Sequence, residues 1–251
     1  MEPCINHTPD AWTVTAVPAF TDNYIWTMLS PDRQRATVVD PGDAAPVLAF
    51  CQKAGAALTD ILITHHHPDH TAGIPLLKQT YPDARVWGPA GERIAGVETP
   101  LREGDTVAIG GLNRAFLVLD IPGHTAGHIA YYHPAMDWLF CGDTLFAAGC
   151  GRLFEGTPQQ MFASLQKLGS LPSQTRVFCT HEYTHSNLRF AQEAEADNPA
   201  IHARAQTVAS LRAQGACTLP SSIGLEWETN PFLRARDASH FAALRQQKDN
   251  F

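Results

Sequence analysis

Several features that would place the chain in a membrane or outside the cell are missing from the sequence. No apolar stretch approaches the roughly 20 residues that a membrane-spanning helix needs. The segment Met1–Asp10 carries Glu2, Pro3 and Asp10 and lacks the basic region followed by an apolar core of a secretory signal. The sequence also shows no internal repeat and no low-complexity tract. We therefore expect a protein that has no membrane partner and is not secreted.

The cysteines form neither a disulfide framework nor a C-x-x-C pair. The chain has 6 cysteines in 251 residues, and they are scattered. Scattered thiols in a chain of this length are typical of reduced core residues. They favour a cytoplasmic location. The six are Cys4, Cys51, Cys141, Cys150, Cys179 and Cys217.

An excess of basic residues is also missing. The formal net charge is −7, whereas a protein that binds a phosphate backbone gains from a basic surface. We therefore expect no nucleic-acid partner. A small anionic substrate stays compatible with this charge, because it needs only a local cationic pocket. The composition of 44% hydrophobic and 17% charged residues is that of an ordinary globular protein.

Short apolar runs bounded by turn residues predict a strand-rich first two-thirds of the chain. After about Thr184 the pattern becomes helical, so we expect a mixed α/β domain followed by a small helical one. We place the division between residues 1–180 and 181–251. The predicted strands are Trp12–Ala16, Tyr24–Met28, Ala36–Val39, Asp60–Ile63, Arg85–Trp87, Ala115–Leu119, Ile129–Tyr132, Trp138–Phe140 and Val177–Cys179.

Capping signals predict the helices. Thr157 can cap a helix, with Pro158 at its first position and Gln160 completing a capping box. Asn198-Pro199 is a second helix start, and Gly215 a helix end. The late helices are predicted over Ser186–Ala196, Pro199–Gln214 and Ala238–Gln247.

The segment Ile61–His70 carries the strongest chemical signal. Its apolar strand leads directly into Thr64-His65-His66-His67-Pro68-Asp69-His70. Imidazole and carboxylate groups are ligands for Zn(II), Fe(II) or Mn(II). A solvated histidine-rich loop would neither follow a buried strand nor place an aspartate at a fixed position among the histidines.

Three later strands end in the same kind of residue. His124 follows the run Phe116–Leu119, Asp143 follows Phe140-Cys141-Gly142, and His181 follows Phe178-Cys179-Thr180. Single residues of these types at strand ends are usually structural. Together with the histidine segment they predict a metal site at one rim of the strands.

The order of these residues resembles the ligand order of the metallo-β-lactamase superfamily. Further segments narrow the resemblance to the hydroxyacylglutathione hydrolases, also called glyoxalase II, and it covers nearly the whole chain. These segments are Thr21–Tyr24, Gly142–Phe146, Gly149–Thr157, His181–Thr184, Asn230–Arg234 and Arg245–Phe251.

The resemblance implies a four-layer αββα sandwich followed by an all-helical domain, with two divalent metal ions per chain. His65, His67 and His124 would hold one ion, and Asp69, His70 and His181 the second, with Asp143 bridging. This leaves His66 as a spacer and His128 as a structural residue beside the ligands. Zinc is the expected metal, and iron and manganese are alternatives that the same ligands accept.

The implied activity is hydrolysis of the thioester of an S-(2-hydroxyacyl)glutathione. The expected substrate is S-D-lactoylglutathione, which gives D-lactate and glutathione in methylglyoxal detoxification. A hydroxide bridging the metals at Asp143 would attack the acyl carbon. Substrate contacts are expected from Arg152, Tyr183, Arg245 and Lys248, and from Phe154, a phenyl ring where some relatives have tyrosine.

Other activities of the same fold are alternatives. A β-lactamase would usually have cysteine in place of the bridging Asp143, and a glutathione persulfide dioxygenase would use a single iron. A lactonase keeps the ligands but has no need of the glutathione-site segments. An RNA nuclease would need a basic surface, and a non-catalytic module would not leave a metal position open. We expect a monomer.

Overall fold

A computed structural model of the chain describes residues 11–251. The predicted absence of a signal in Met1–Asp10 and the residue Cys4 lie outside this range. Within the described part of the chain, every helix is too short or too polar to cross a bilayer.

The first sheet has six strands in the order of the chain. The first three strands pair antiparallel and the following pairs are parallel. Three helices separate its strands: α1 (Ala44–Ala54) precedes β4, and α2 (Pro68–Thr71) and α3 (Ile74–Thr80) precede β5. The strands are β1 (Thr13–Ala19), β2 (Asn23–Leu29), β3 (Arg35–Val39), β4 (Ala57–Leu62), β5 (Arg85–Pro89) and β6 (Thr99–Leu101).

The second sheet also has six strands, ordered β14-β13-β10-β9-β8-β7. Only the β10–β13 pair is parallel, and its register shifts between Phe140 and Gly142. A separate two-stranded hairpin, β11 (Leu145–Phe146) and β12 (Gly149–Cys150), follows β10. The sheet strands are β7 (Thr106–Val107), β8 (Phe116–Asp120), β9 (Ile129–His133), β10 (Trp138–Gly142), β13 (Arg176–Cys179) and β14 (Ser221–Ser222).

The remaining helices are mostly late in the chain. The predicted capping box at Thr157 is present, with Gln160 N donating to Thr157 Oγ1 at 3.2 Å and Gln160 Oε1 accepting from Thr157 N. The helix predicted from Ser186 starts two residues earlier. These helices are α4 (Pro158–Gly169), α5 (Thr184–Ala194), α6 (Pro199–Ala213), α7 (Ile223–Thr229) and α8 (Ala238–Asp249).

The two sheets face each other across one apolar core. Trp26 and Leu62 of the first sheet meet Tyr131, Phe140 and Phe178 of the second. Each fully buried side chain of this size stabilises the fold by roughly 1.5–3 kcal/mol. A second core lies between the first sheet and helices α1 and α3, and α4 closes the other side with an apolar face. The predicted αββα layering is confirmed.

A third, smaller cluster belongs to the C-terminal helices. Leu188 of α5 packs with Ile201 and Val208 of α6, and the cluster reaches Ala148 at the tip of the β11–β12 hairpin. The buried Glu226 accepts a hydrogen bond from the Ala148 backbone at 2.7 Å. The C-terminal segment is helical apart from the two-residue strand β14, and it fixes the hairpin that follows Asp143.

Candidate active site

Four strand ends supply the predicted metal-binding side chains. His65 and His67 leave the end of β4, and Asp69 and His70 lie on the short helix α2 that follows. The other three side chains leave the ends of β8, β10 and β13: His124, Asp143 and His181. Because β4 belongs to one sheet and the other three strands to the second, the side chains meet at one rim of the sandwich.

Glycine is required at the end of β10. Gly142 has φ +49°, a left-handed conformation that side chains rarely adopt. A Cβ there would lie 2.3 Å from Thr64 Oγ1 and 2.8 Å from the His128 ring. The close approach of the two sheets at this point brings Asp143 beside the histidines that follow β4.

His65, His67 and His124 form the first group. His67 Nδ1 lies 3.2 Å from His65 Nε2 and 3.1 Å from His124 Nε2. Ligand nitrogens at 2.0–2.1 Å from a tetrahedral zinc lie roughly 3.3 Å from one another. Burial holds the pKa of all three imidazoles below the ordinary value, which favours the neutral form that binds metals.

Asp69, His70 and His181 form the second group. Asp69 Oδ2 lies 3.5 Å from His70 Nε2 and 3.6 Å from His181 Nε2. Burial by itself would lower the pKa of His70, but the neighbouring carboxylates of Asp143 and Asp40 raise it well above its ordinary value. Unlike the first group, this one mixes oxygen and nitrogen donors.

Asp143 lies between the groups. Its Oδ2 is 3.5 Å from His124 Nε2 of the first group and 3.3 Å from His181 Nε2 of the second, and its Oδ1 is 3.6 Å from His70 Nε2. Burial raises the pKa of the Asp143 carboxyl, but the facing His70 and His181 rings bring it well below its ordinary value. The carboxylate is therefore placed to contact both groups at once.

Unsatisfied polar atoms at this point fit a bound cation. Within residues 11–251, both ring nitrogens of His70 and Asp143 Oδ1 are buried without a hydrogen bond, although His70 Nδ1 lies close to Asp40 Oδ2. A buried polar atom of this kind is costly unless something binds it. Together with the donor types, the arrangement fits a dinuclear metal site.

Three outer contacts were missed from the sequence. Asp40 Oδ2 lies 3.1 Å from His70 Nδ1 and accepts from Thr64 Oγ1 at 2.7 Å. Asp22 Oδ1 lies 2.8 Å from His181 Nδ1, and Asn23 Nδ2 donates to Asp69 Oδ2 at 3.1 Å. Such contacts fix the ring orientation of metal-binding histidines and the position of carboxylates. The sequence signal for Asp40 is its place at the end of β3.

His128 lies beside the groups rather than in them. Its ring stacks on that of His65, with 4.5 Å between centroids. The backbone nitrogen of Asp143 donates to His128 Nε2 at 3.2 Å. His128 therefore holds the backbone of the central carboxylate, in keeping with the structural role expected for it.

A cavity of about 540 Å³ opens beside these groups. Tyr183 stacks on His181 with 4.7 Å between centroids, and Phe154 meets His67 edge-on at 5.6 Å. Phe154 is 62% exposed, so its ring faces the opening. All five predicted substrate contacts line this cavity: Arg152, Phe154, Tyr183, Arg245 and Lys248.

The three cations of the cavity wall differ in how they are held. Arg245 is 7% exposed, donates to Cys150 O at 3.1 Å and pairs with Asp249 at 2.9 Å. Arg152 is exposed and lies 3.3 Å from the same Asp249 carboxylate. Lys248 is half-buried and donates to Ser186 O at 3.2 Å. Arg152 and Lys248 are thus freer to meet a ligand than Arg245, whose guanidinium anchors α8.

Comparisons with known proteins agree with this arrangement. The metallo-beta-lactamase superfamily matches residues 24–181, the segment that holds all seven residues of the two groups and Asp143. The structure of ETHE1 from Myxococcus xanthus superposes with a TM-score of 0.69 at 23% identity, covering 98% of this chain and 90% of that one. TTHA1623 in a di-iron-bound form gives 0.59 at 28% identity, covering 84% of this chain and 94% of that one. The class is therefore that of the metallo-β-lactamase fold.

The C-terminal segment and the full-length relatives are more specific. Residues 182–251 match the hydroxyacylglutathione hydrolase C-terminus. A hydroxyacylglutathione hydrolase of Pseudomonas fluorescens is 51% identical over 95% of this chain and 99% of its own length. That of Cupriavidus taiwanensis is also 51% identical, over 95% of this chain and 98% of its own. The chain belongs to the hydroxyacylglutathione hydrolase family.

Proposed function

We propose that this chain hydrolyses the thioester of S-(2-hydroxyacyl)glutathione, with S-D-lactoylglutathione as substrate and D-lactate and glutathione as products. The observation that carries this is the place of Asp143, within 3.6 Å of ring nitrogens from both groups and at the wall of a cavity that also holds cations. Relatives about 51% identical over nearly the whole chain are named for this activity.

The residues that would hold the metals are assigned by their groups. His65, His67 and His124 would hold one ion, and Asp69, His70 and His181 the other, with Asp143 shared. We propose zinc, and iron or manganese would suit the same ligands. Bound there, two divalent ions supply Lewis acidity and lower the pKa of a shared water.

The chain's own side chains bind and orient the substrate. Glutathione carries two carboxylates, which Arg152 and Lys248 can contact from the cavity wall. Tyr183 and Phe154 present aromatic surface next to His181 and His67, where the acyl end must lie. Because glutathione leaves as a thiolate, no strong general acid is required of the protein.

The domain division, the oligomeric state and the location of the protein are also proposals. We propose that the chain is divided at residues 180/181, and the two family matches, which meet one residue later at 181/182, support a division in this place. We propose a monomer. We propose a cytoplasmic location, on the scattered cysteines of the sequence.

A side-by-side assay tests the activity. The purified protein would be given S-D-lactoylglutathione, a β-lactam, a lactone, an RNA and glutathione persulfide, in air and under nitrogen. We expect turnover of the thioester alone, at equal rates in both atmospheres. Cleavage of another substrate without the thioester would contradict the proposal, as would oxygen uptake coupled to turnover of glutathione persulfide.

A further inference from the structure

His66 lies between two predicted metal ligands, yet both of its ring nitrogens face away from the metal groups. Its Nδ1 lies 2.9 Å from Glu92 Oε2, and its Nε2 lies 3.3 Å from Glu155 Oε1. The Glu92 side chain is 4% exposed. The His66 side chain is 34% exposed, and His66, the expected spacer between ligands, contacts two carboxylates.

The two carboxylates also hold the segment that follows His124. Glu92 Oε1 accepts a hydrogen bond from Thr125 Oγ1 and another from Gly127 N at 3.2 Å. Glu155 Oε2 accepts from Ala126 N at 2.8 Å. His66 is thereby connected, through one carboxylate on each side, to the backbone that carries His124.

Glu155 adds a third segment to the network. It follows Phe154 directly, and His124 Nδ1 lies 2.8 Å from the carbonyl oxygen of Arg152 in the same stretch. Three segments far apart in sequence therefore meet at the His66 ring: the one after β4, the one after β8, and the loop that carries Arg152 and Phe154.

His67 is the residue that most needs this support. His65 Nδ1 lies 3.0 Å from Thr64 Oγ1, and His124 Nδ1 faces the Arg152 carbonyl. For His67, whose Nδ1 faces the other two ligands, no hydrogen bond is found at Nε2 among residues 11–251. A metal-binding histidine normally has such a bond, which fixes its ring and strengthens metal binding.

We propose that His66, held by Glu92 and Glu155, is a positioning residue for the first metal group. By fixing the backbone on the N-terminal side of His67 and tying it to the segment of His124, the network sets the approach of their facing nitrogens. This role rests on the proposed metal centre. It requires no contact between His66 and either the metal or the substrate.

The test measures metal affinity rather than turnover. Metal-free wild type, His66→Ala, Glu92→Gln and the double variant would compete with a fluorescent chelator for Zn²⁺. His185→Ala, which removes an exposed histidine on α5 outside the network, is the matched control. We expect both single variants to bind one of two Zn²⁺ equivalents about 10–100-fold more weakly, as found when outer contacts of metal ligands are removed.

Several readouts separate positioning from general damage. The second Zn²⁺ equivalent should keep its wild-type affinity. The double variant should resemble the single variants, because the two residues act through one contact. Without metal, the unfolding midpoint of His66→Ala should match that of His185→Ala. Unchanged affinity for both equivalents would overturn the inference. So would equal weakening of both with a lowered midpoint in His66→Ala and in the gentler His66→Asn. If wild type itself bound fewer than two equivalents, the proposed centre would fail and this inference with it.

Discussion

The metal-binding side chains at the rim of the sandwich and the cations of the cavity wall, Arg152 and Lys248, face the same cavity. The two sets of side chains are held in different ways. At the rim, His65, His70 and His124 are at most 4% exposed, and their side chains leave the ends of strands or the short helix next to them. On the wall, Arg152 is exposed and lies 3.3 Å from Asp249, and Lys248 is half-buried and donates to Ser186 O at 3.2 Å. The rim is preorganised, whereas the wall is adjustable.

The difference predicts which kinetic constant each region controls. Groups held rigidly around the reacting atoms act on the chemical step, so substitutions there should lower kcat. A flexible cation that contacts a remote carboxylate binds ground state and transition state alike, so its loss should raise KM.

The largest effect is expected at Asp143. Asp143→Ala removes a carboxylate that lies within 3.6 Å of ring nitrogens from both groups: His124 of the first, and His70 and His181 of the second. We expect kcat to fall by at least about a thousandfold, since a metal-activated nucleophile supplies most of such a rate. Steady-state kinetics and metal analysis of the variant measure this. A near-normal kcat would show that the central residue is wrongly assigned.

A smaller loss is expected at Asp40. Asp40→Asn keeps a residue that tolerates the φ of +53° found there, but it removes the charge that faces His70 Nδ1. Outer contacts of this kind change metal affinity and activity by about 10–100-fold. The matched control is Asp60→Asn, another fully buried carboxylate, which pairs with Arg85 at 2.8 Å away from the metal groups.

The Asp60→Asn control separates an effect on metal binding from an effect on stability. Asp60→Asn should lower the unfolding midpoint and leave Zn²⁺ affinity unchanged. If both variants lose affinity equally, Asp40 acts through the stability of the first sheet rather than through His70.

The smallest effects are expected on the wall. Arg152→Ala and Lys248→Ala each remove one cation that can meet a glutathione carboxylate, and the exposed site screens the contact. We expect each variant to lose about 1–2 kcal/mol of substrate-binding free energy at low salt. This loss corresponds to a rise in KM of about 5–30-fold, and kcat should stay unchanged. The effect should shrink at high salt, and Lys167→Ala, an exposed cation on α4 paired with Glu103, should show none.

A second substrate sharpens this result. A thioester without the glutathione carboxylates should be indifferent to both wall variants. Equal slowing of the two substrates would mean that Arg152 and Lys248 support the fold instead. Arg245→Ala should behave in that structural way, because its buried guanidinium bonds Cys150 O and Asp249.

The rim could be predicted from sequence because its signal is local. The residues His65 to His70 are consecutive, and each later ligand follows an apolar run. The pattern that predicts the end of a strand therefore also locates the ligand. All nine predicted strands are confirmed within a few residues. The network around the rim could not be predicted in the same way. Asp40 lies 24 residues from Thr64, and Asp22 lies 159 residues from His181.

Helix α1 and four short strands could not be predicted from the pattern of apolar runs. Helix α1 has Asp43 as its cap, accepting from Ala45 N, and Gly55 in the left-handed conformation at its end. These are ordinary start and stop signals for the 11-residue helix between them. Strands β7, β11, β12 and β14 have only two residues each. They exist because neighbouring strands pair with them, which no local pattern shows.

Metal equivalents per chain, measured together with activity, test the central claim most directly. Metal-free protein would be titrated with Zn²⁺ while bound metal is determined by elemental analysis and S-D-lactoylglutathione hydrolysis is followed in the same samples. The account predicts that activity rises until two equivalents are bound, because Asp143 joins two ligand groups. Full activity at one equivalent, with no further binding, would contradict it.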